Sequence, residues 1–154
     1  MKTIASLCLI FILLASAVVA QEAAEPQAQS PTATKTLYQR LGGYDAIAAV
    51  TEDFLGRLAN DPQLKRFSLG LSVDSQRKVR SHTVDFLCVA TGGPCIYTGR
   101  DMETVHTGLK ITDSDWDLSV KHLVATLDTF KVPAQEKQEV LTAIGGLKST
   151  IVNL

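Results

Sequence analysis

The chain has almost no net charge, no internal repeat, no run of β-alternation and few cysteines. Each shortage removes a class of protein. Its 154 residues carry 15 Lys and Arg against 16 Asp and Glu, a net charge of −1. That balance offers no basic footprint for nucleic acid, and no nucleic-acid partner is expected. No segment alternates apolar and polar residues as a half-buried strand does, so no β-sheet fold competes. The absence of a useful repeat excludes a solenoid. Of the three cysteines, Cys8 falls in the N-terminal apolar segment, leaving Cys88 and Cys95, separated by VATGGP. The Gly-Gly turn between them can bring the sulfurs together, but spacing alone does not establish the geometry a bridge requires. Two alternatives stand: a Cys88–Cys95 disulfide, or a buried apolar Cys88 with Cys95 as a free thiol.

What is present begins with MKTIASLCLIFILLASAVVA, residues 1–20. Lys2 supplies a positive start, Leu9 to Leu14 is continuously apolar, and Ala17, Val18 and Ala20 are small residues near its end. This is the pattern of a secretory signal peptide cleaved near Ala20–Gln21. The apolar stretch is marginal for a transmembrane span, so no stable membrane anchor is expected after cleavage. No cysteine follows Ala20 closely, which argues against a lipoprotein start. The expected location is secreted or periplasmic. Removing this leader takes away one charge, Lys2, and leaves −2. Residues 21–35, QEAAEPQAQSPTATK, lack large apolar side chains and read as a disordered linker. The folded domain is expected over 36–154.

That domain reads as all-α. Thr36 to Leu41 forms one turn, broken by Gly42-Gly43. Ile47, Val50, Phe54, Leu55 and Leu58 then recur at helical spacing. The helix ends near Asn60-Asp61-Pro62, because proline disfavours helix in the residue before it. Gln63 to Phe67 makes one further turn. Asp74 or Ser75 is expected to cap a helix to about Thr91, with Val79, His82 or Thr83, Phe86, Leu87 and Ala90 as its inner stripe. Gly92-Gly93-Pro94 ends it. A helix from Thr112 to Phe130 carries Trp116, Val120, Leu123, Val124 and Leu127. Pro133 starts a last helix, with Val140, Leu141, Ile144, Leu147 and Ile151 inside and Gly145-Gly146 in its middle.

Between these lies the stretch Ile96 to Trp116, IYTGRDMETVHTGLKITDSDW, centred on His106. Asp101 is placed to cap a short helix, and Glu103 complements its dipole. Met102, Val105, His106 and Leu109 follow at helical spacing. A lone histidine is commonly a satisfied core or surface residue. A short helix between glycines that presents one imidazole from an apolar face also suits a metal cofactor.

Four segments in this order resemble the truncated haemoglobins, group I in particular: LYQRLGGYDAIAAVTEDFLGRLANDPQLKRF, DFLCVATGGP, YTGRDMETVHTGLKIT and DWDLSVKHLVATLDTFKVP. The resemblance spans about residues 36–150. It implies a two-over-two helical sandwich around haem b (iron protoporphyrin IX), with His106 as the proximal iron ligand. A globin holds haem through one such histidine and leaves the other face for a gas. The implied walls are Phe54, Leu55, Phe67, Val79, Phe86, Leu87, Met102, Val105, Trp116, Val120 and Val124. His82 matches the position from which some cyanobacterial members supply a sixth iron ligand, and His82 and Thr83 are the implied polar distal groups; the other reading places His82 toward solvent or a haem propionate. Arg66, Lys78 and Arg100 are placed for haem propionates or are solvated charges. His122 reads as a surface or partly buried residue.

The departures from the family matter. Leu55 stands where members commonly have a tyrosine, so the hydrogen bond a phenol would give to a bound gas is missing. Phe67-Ser68 stands where two phenylalanines are usual, with Leu69 or Leu71 as replacements, and the connection to Asp74 is slightly long. The expected function is binding of dioxygen, nitric oxide or another diatomic gas, with fast oxygen loss. The alternatives are a nitric oxide dioxygenase or peroxidase-like enzyme, which would need an unidentified reductase, and a non-catalytic haem-based redox sensor.

Overall fold

A computed structural model describes residues 34–154. The leader, 1–20, and nearly all of the linker, 21–35, lie outside the described residues. Every element in the described part is helical. The α-helices are α1 Leu37–Arg40, α2 Gly43–Asn60, α3 Val73–Ala90, α4 Met102–His106, α5 Asp113–Thr129 and α6 Ala134–Gly145. Single 3-10 turns occur at Leu64–Phe67 and Lys148–Thr150. Among the described residues no helix is long and apolar enough to cross a membrane.

Local chemistry sets the boundaries. Thr36 caps α1 in a reciprocal box with Gln39, which satisfies two backbone donors that would otherwise have no partner. Gly42 and Gly43 both take positive φ, 99° and 81°. Only residues without a Cβ do so cheaply, and the pair turns the chain from α1 into α2. Thr112 caps α5 in a second box with Asp115. Two expectations need correction. The cap of α3 is Ser72, whose hydroxyl accepts from Ser75 N, rather than Asp74 or Ser75. The pair Gly145-Gly146 is not inside the last helix but ends it, Gly146 being the C-cap.

Helix α2 is the hub, packing on α3, α5, α1 and the first 3-10 turn, while α6 packs on α5 and α1. Leu123, Leu127 and Val140 form the centre of one core, closed by Leu37, Leu41, Val50, Phe54, Val132, Leu141 and Ile144. Burying a side chain of this size contributes about 1.5–3 kcal/mol.

Helix α3 is used differently from what its sequence stripe suggests. Its buried residues are Val84 and Cys88, four apart and so on one face. At about 100° per residue, Val79, His82 and Phe86 fall on the opposite side. That second face is only half-covered, and Val79 is 44% exposed. Helix α3 thus buries one apolar face against α2 and keeps another that the described helices do not cover.

Cys88 and Cys95 are joined in a disulfide with Cα atoms 5.9 Å apart. The bridge pins the loop after α3 back to the helix. Gly93 lies inside this ring, where a Cβ would come within 2.6 Å of Cys88 Sγ and 2.5 Å of the Tyr38 ring. Only glycine fits there.

Candidate functional site

Helix α4 is five residues long, too short to be stable alone. Asp101 nucleates it by accepting from Thr104 N at 2.8 Å and from the Thr104 hydroxyl at 2.7 Å. These bonds, the backbone one first, hold the Asp101 carboxyl below the usual range. His106 is the last residue of the helix and is half-buried. Its Nδ1 lies 2.7 Å from the carbonyl oxygen of Met102. A carbonyl can only accept, so Nδ1 carries the proton and Nε2 keeps its lone pair. A metal-binding imidazole needs that tautomer, and a bond to the second nitrogen is how proteins fix it. Met102 and Val105 flank it, both half-buried. Leu109 lies beyond the helix end and is exposed.

The half-covered face of α3 carries the other predicted residues. Phe86 and Leu87 are half-buried, as are His82 and Thr83. The Thr83 hydroxyl donates to its own helix, at Val79 O, 2.8 Å away. His82 has a buried Nδ1 with no hydrogen-bond partner. Buried polar atoms are nearly always partnered, so this nitrogen sets His82 apart from the other polar side chains of α3. Leu69, Leu71 and Val73 before and at the start of α3 are exposed.

The remaining predicted residues lie on α2, α5 and the first 3-10 turn. Leu55 is half-buried on α2, while its neighbour Phe54 packs against the Leu123–Leu127–Val140 core. Phe67 has the Arg66 guanidinium 4.3 Å over its ring. Trp116 is buried on α5, with Val120 and Val124 half-buried further along. Arg66 is not a lone solvated cation, because it pairs with Asp115 at 2.6 Å. Asp115 is 1% exposed and also accepts from Gln63 at 2.8 Å and from the Thr112 backbone and hydroxyl at 2.9 and 2.8 Å. Arg66, ahead of the others, holds its carboxyl far below the usual carboxylate range against the opposing effect of burial. His122 bonds Asp61 at 2.8 Å, the largest cause of that carboxyl's lowered pKa, and so ties α5 to the end of α2. Tyr97, which sequence reasoning passed over, packs on His82 and Phe86.

These features fit a haem. Among the described residues no three His, Cys, Asp or Glu side chains gather as a cage for a bare metal ion would require. A single imidazole with its lone pair free suits a metal that arrives already chelated by a macrocycle. The half-covered apolar face of α3 is the kind of surface a flat apolar ring covers.

Solved structures of similar shape define the class. A truncated hemoglobin from Tetrahymena pyriformis superposes with a TM-score of 0.70 at 26% identity, covering 77% of this chain and 98% of that one. The 2/2 hemoglobin of Synechococcus sp. PCC 7002, solved in the cyanomet state with covalently attached heme, gives 0.71 at 28% identity over 78% and 100%. The fold is therefore the two-over-two helical sandwich of the truncated globins. The model of the bacterial-like globin family matches residues 36–153. The group 1 truncated hemoglobin GlbN of Mycolicibacterium paratuberculosis is 35% identical over 75% of this chain and 83% of its own length. A Nostoc sp. homologue of the same name is 32% identical over 77% and 98%. The chain belongs to the bacterial-like globin family, among its truncated haemoglobins. Membership brings haem b as the cofactor and diatomic gases as the ligands.

Proposed function

We propose that this protein is an exported globin that binds dioxygen or a similar gas; His106 would hold its haem iron and His82 would be the polar group that meets the gas. The observation that carries the reading is the Nδ1 to Met102 carbonyl bond, which leaves Nε2 of His106 as the donor to a metal. Haem b supplies the iron at which a gas binds; the protein controls access and polarity. Met102, Val105, Phe86, Leu87 and Val79 would hold the ring, with Trp116 and Phe67 as further walls. Thr83 offers little to a bound ligand, since its proton is committed to Val79 O. Export is supported by the signal-like residues 1–20 and by the Cys88–Cys95 bridge, because disulfides persist in oxidising compartments and are rare in the cytosol. No membrane anchor would remain, and the location would be secreted or periplasmic.

Two experiments test the ligand side. His82→Ala is expected to change the ferric absorption spectrum and the gas-binding rates; a variant matching the parent in both would remove His82 from this role. Leu55→Tyr introduces a phenol donor where a donor is missing. A hydrogen bond of about 1 kcal/mol slows oxygen dissociation by roughly fivefold. Stopped-flow displacement of oxygen measures it, and an unchanged or faster rate would place Leu55 away from the bound gas.

A further inference from the structure

Tyr97 lies outside the groups proposed to hold the haem or meet the gas. It sits on the loop between α3 and α4 and is half-buried. Its ring meets Phe86 with centroids 5.5 Å apart and planes at 73°. It meets His82 at 6.1 Å and 82°. Both lie within the range in which edge-to-face aromatic pairs attract. Phe86 and His82 are four residues apart on one face of α3, so a single phenol spans both.

Three further features hold that phenol still. Its hydroxyl donates to Arg100 O at 2.6 Å, directly before Asp101, the cap of the helix that carries His106. Two residues earlier the loop is bonded through Cys95 to fully buried Cys88 of α3. A Cβ at Gly99 would collide with the Tyr97 ring and hydroxyl, so the loop folds closely around the side chain. By contrast, His82 has no hydrogen bond at its buried Nδ1. Packing rather than hydrogen bonding at that nitrogen holds the imidazole, and Tyr97 is the aromatic side chain stacked edge-on to it.

We infer that Tyr97 is a positioning residue for His82: it holds the imidazole in one orientation and ties that orientation to the segment leading into His106. The inference rests on the reading of His82 as the ligand-side group. The bond to Arg100 anchors the ring, and the ring orients the histidine. Loss of the ring therefore moves His82, whereas loss of the hydroxyl alone leaves the packing contact in place.

The test compares Tyr97→Phe, Tyr97→Leu and His82→Ala in the haem-loaded protein. The His82 ring resonances are followed by NMR in the diamagnetic carbon monoxide form, alongside the ferric absorption spectrum and thermal melting. Tyr97→Leu should displace the His82 resonances and change the low-spin to high-spin ratio by roughly two- to tenfold, the range an edge-to-face contact corresponds to. Tyr97→Phe, which keeps the ring and loses only its bond to Arg100 O, should move both by less than Leu does. Tyr97→Met, closer in volume, is carried alongside so that a poorly folded Leu variant does not end the test; it should shift the same resonances. Unmoved His82 resonances in folded Leu or Met variants would overturn the inference. So would a Phe variant that disturbs them as strongly as Leu or Met. His82→Ala separates the two levels. An unchanged ferric spectrum there would remove the ligand-side reading, while the orienting role would still be judged on the resonances.

Discussion

Replacing His106 by alanine is expected to abolish stoichiometric haem uptake. The imidazole is the single side chain proposed to bond the iron, and its preparation is visible: Nδ1 is committed to Met102 O and Nε2 is left as the donor. Loss of a partner that merely orients a metal ligand costs 10–100-fold in affinity, so loss of the ligand itself should cost more than about 100-fold. The apolar walls would remain, and some loose association with haemin should persist. Titration with haemin, followed by ferric and ferrous spectra, gives the affinity and coordination together. A His106→Gly variant regaining the parent spectrum on addition of imidazole would show that the missing group, not a damaged fold, is responsible. A His106→Ala protein that takes up haemin with parental affinity and spectrum would end the assignment.

The second large effect concerns stability. Asp115 is a buried carboxylate serving two elements at once: it completes the α5 capping box, and it receives Gln63 and pairs with Arg66 of the first 3-10 turn. Asp115→Ala leaves the Thr112 backbone N–H without its acceptor, leaves the Gln63 amide only its weaker bond to Ser114, and leaves Arg66 unpaired. Breaking a buried pair costs 3–5 kcal/mol. Arg66 is partly exposed and can turn to water, so about 2–3 kcal/mol is the better expectation. The measurement is the urea midpoint, with an unchanged slope showing that compactness is kept. The pH dependence has a definite sign. Because the folded pKa of Asp115 is lowered, its contribution is complete above the ordinary aspartate value of about 3.9. It declines as pH falls from there toward the depressed folded value. Asp115→Asn should flatten that acid limb while lowering stability at neutral pH. An acid limb identical to the parent's would show that another carboxylate dominates it.

Much of this was legible before any coordinates. The Gly-Gly break after α1, the Asp101 cap and the apolar periods of α2 and α5 each depend on residues within a few positions of one another. Local rules suffice for such features. Where two local rules competed, reading failed. Ser72 offers the same short hydroxyl as Ser75, and the helix begins directly after it, at Val73. The pair Gly145-Gly146 was compatible with a helix interior at some cost, but the chain uses it to stop. The stripe on α3 was read as the inner side of the helix, whereas the residues it buries against the rest of the fold are Val84 and Cys88. Periodicity shows that a helix has an apolar side without saying what covers it. Tyr97 was invisible because its partners, His82, Phe86 and Arg100, come together only through the fold. The Cys88–Cys95 alternative was likewise a question of distance, which only the path of the loop decides.

The early stop of α6 has a consequence for the region around His106. After Gly146 the chain hooks back. Lys148 pairs with Asp113 at 2.7 Å, Asn153 N donates to Ile111 O at 2.9 Å, and Val152 is buried. The turn Lys148–Thr150 also packs against α4. The footing of the proposed iron-side helix is therefore a buttress from the far end of the sequence. Substitutions in the Lys148–Thr150 turn would thus reach the His106 helix from a part of the chain far from it in sequence.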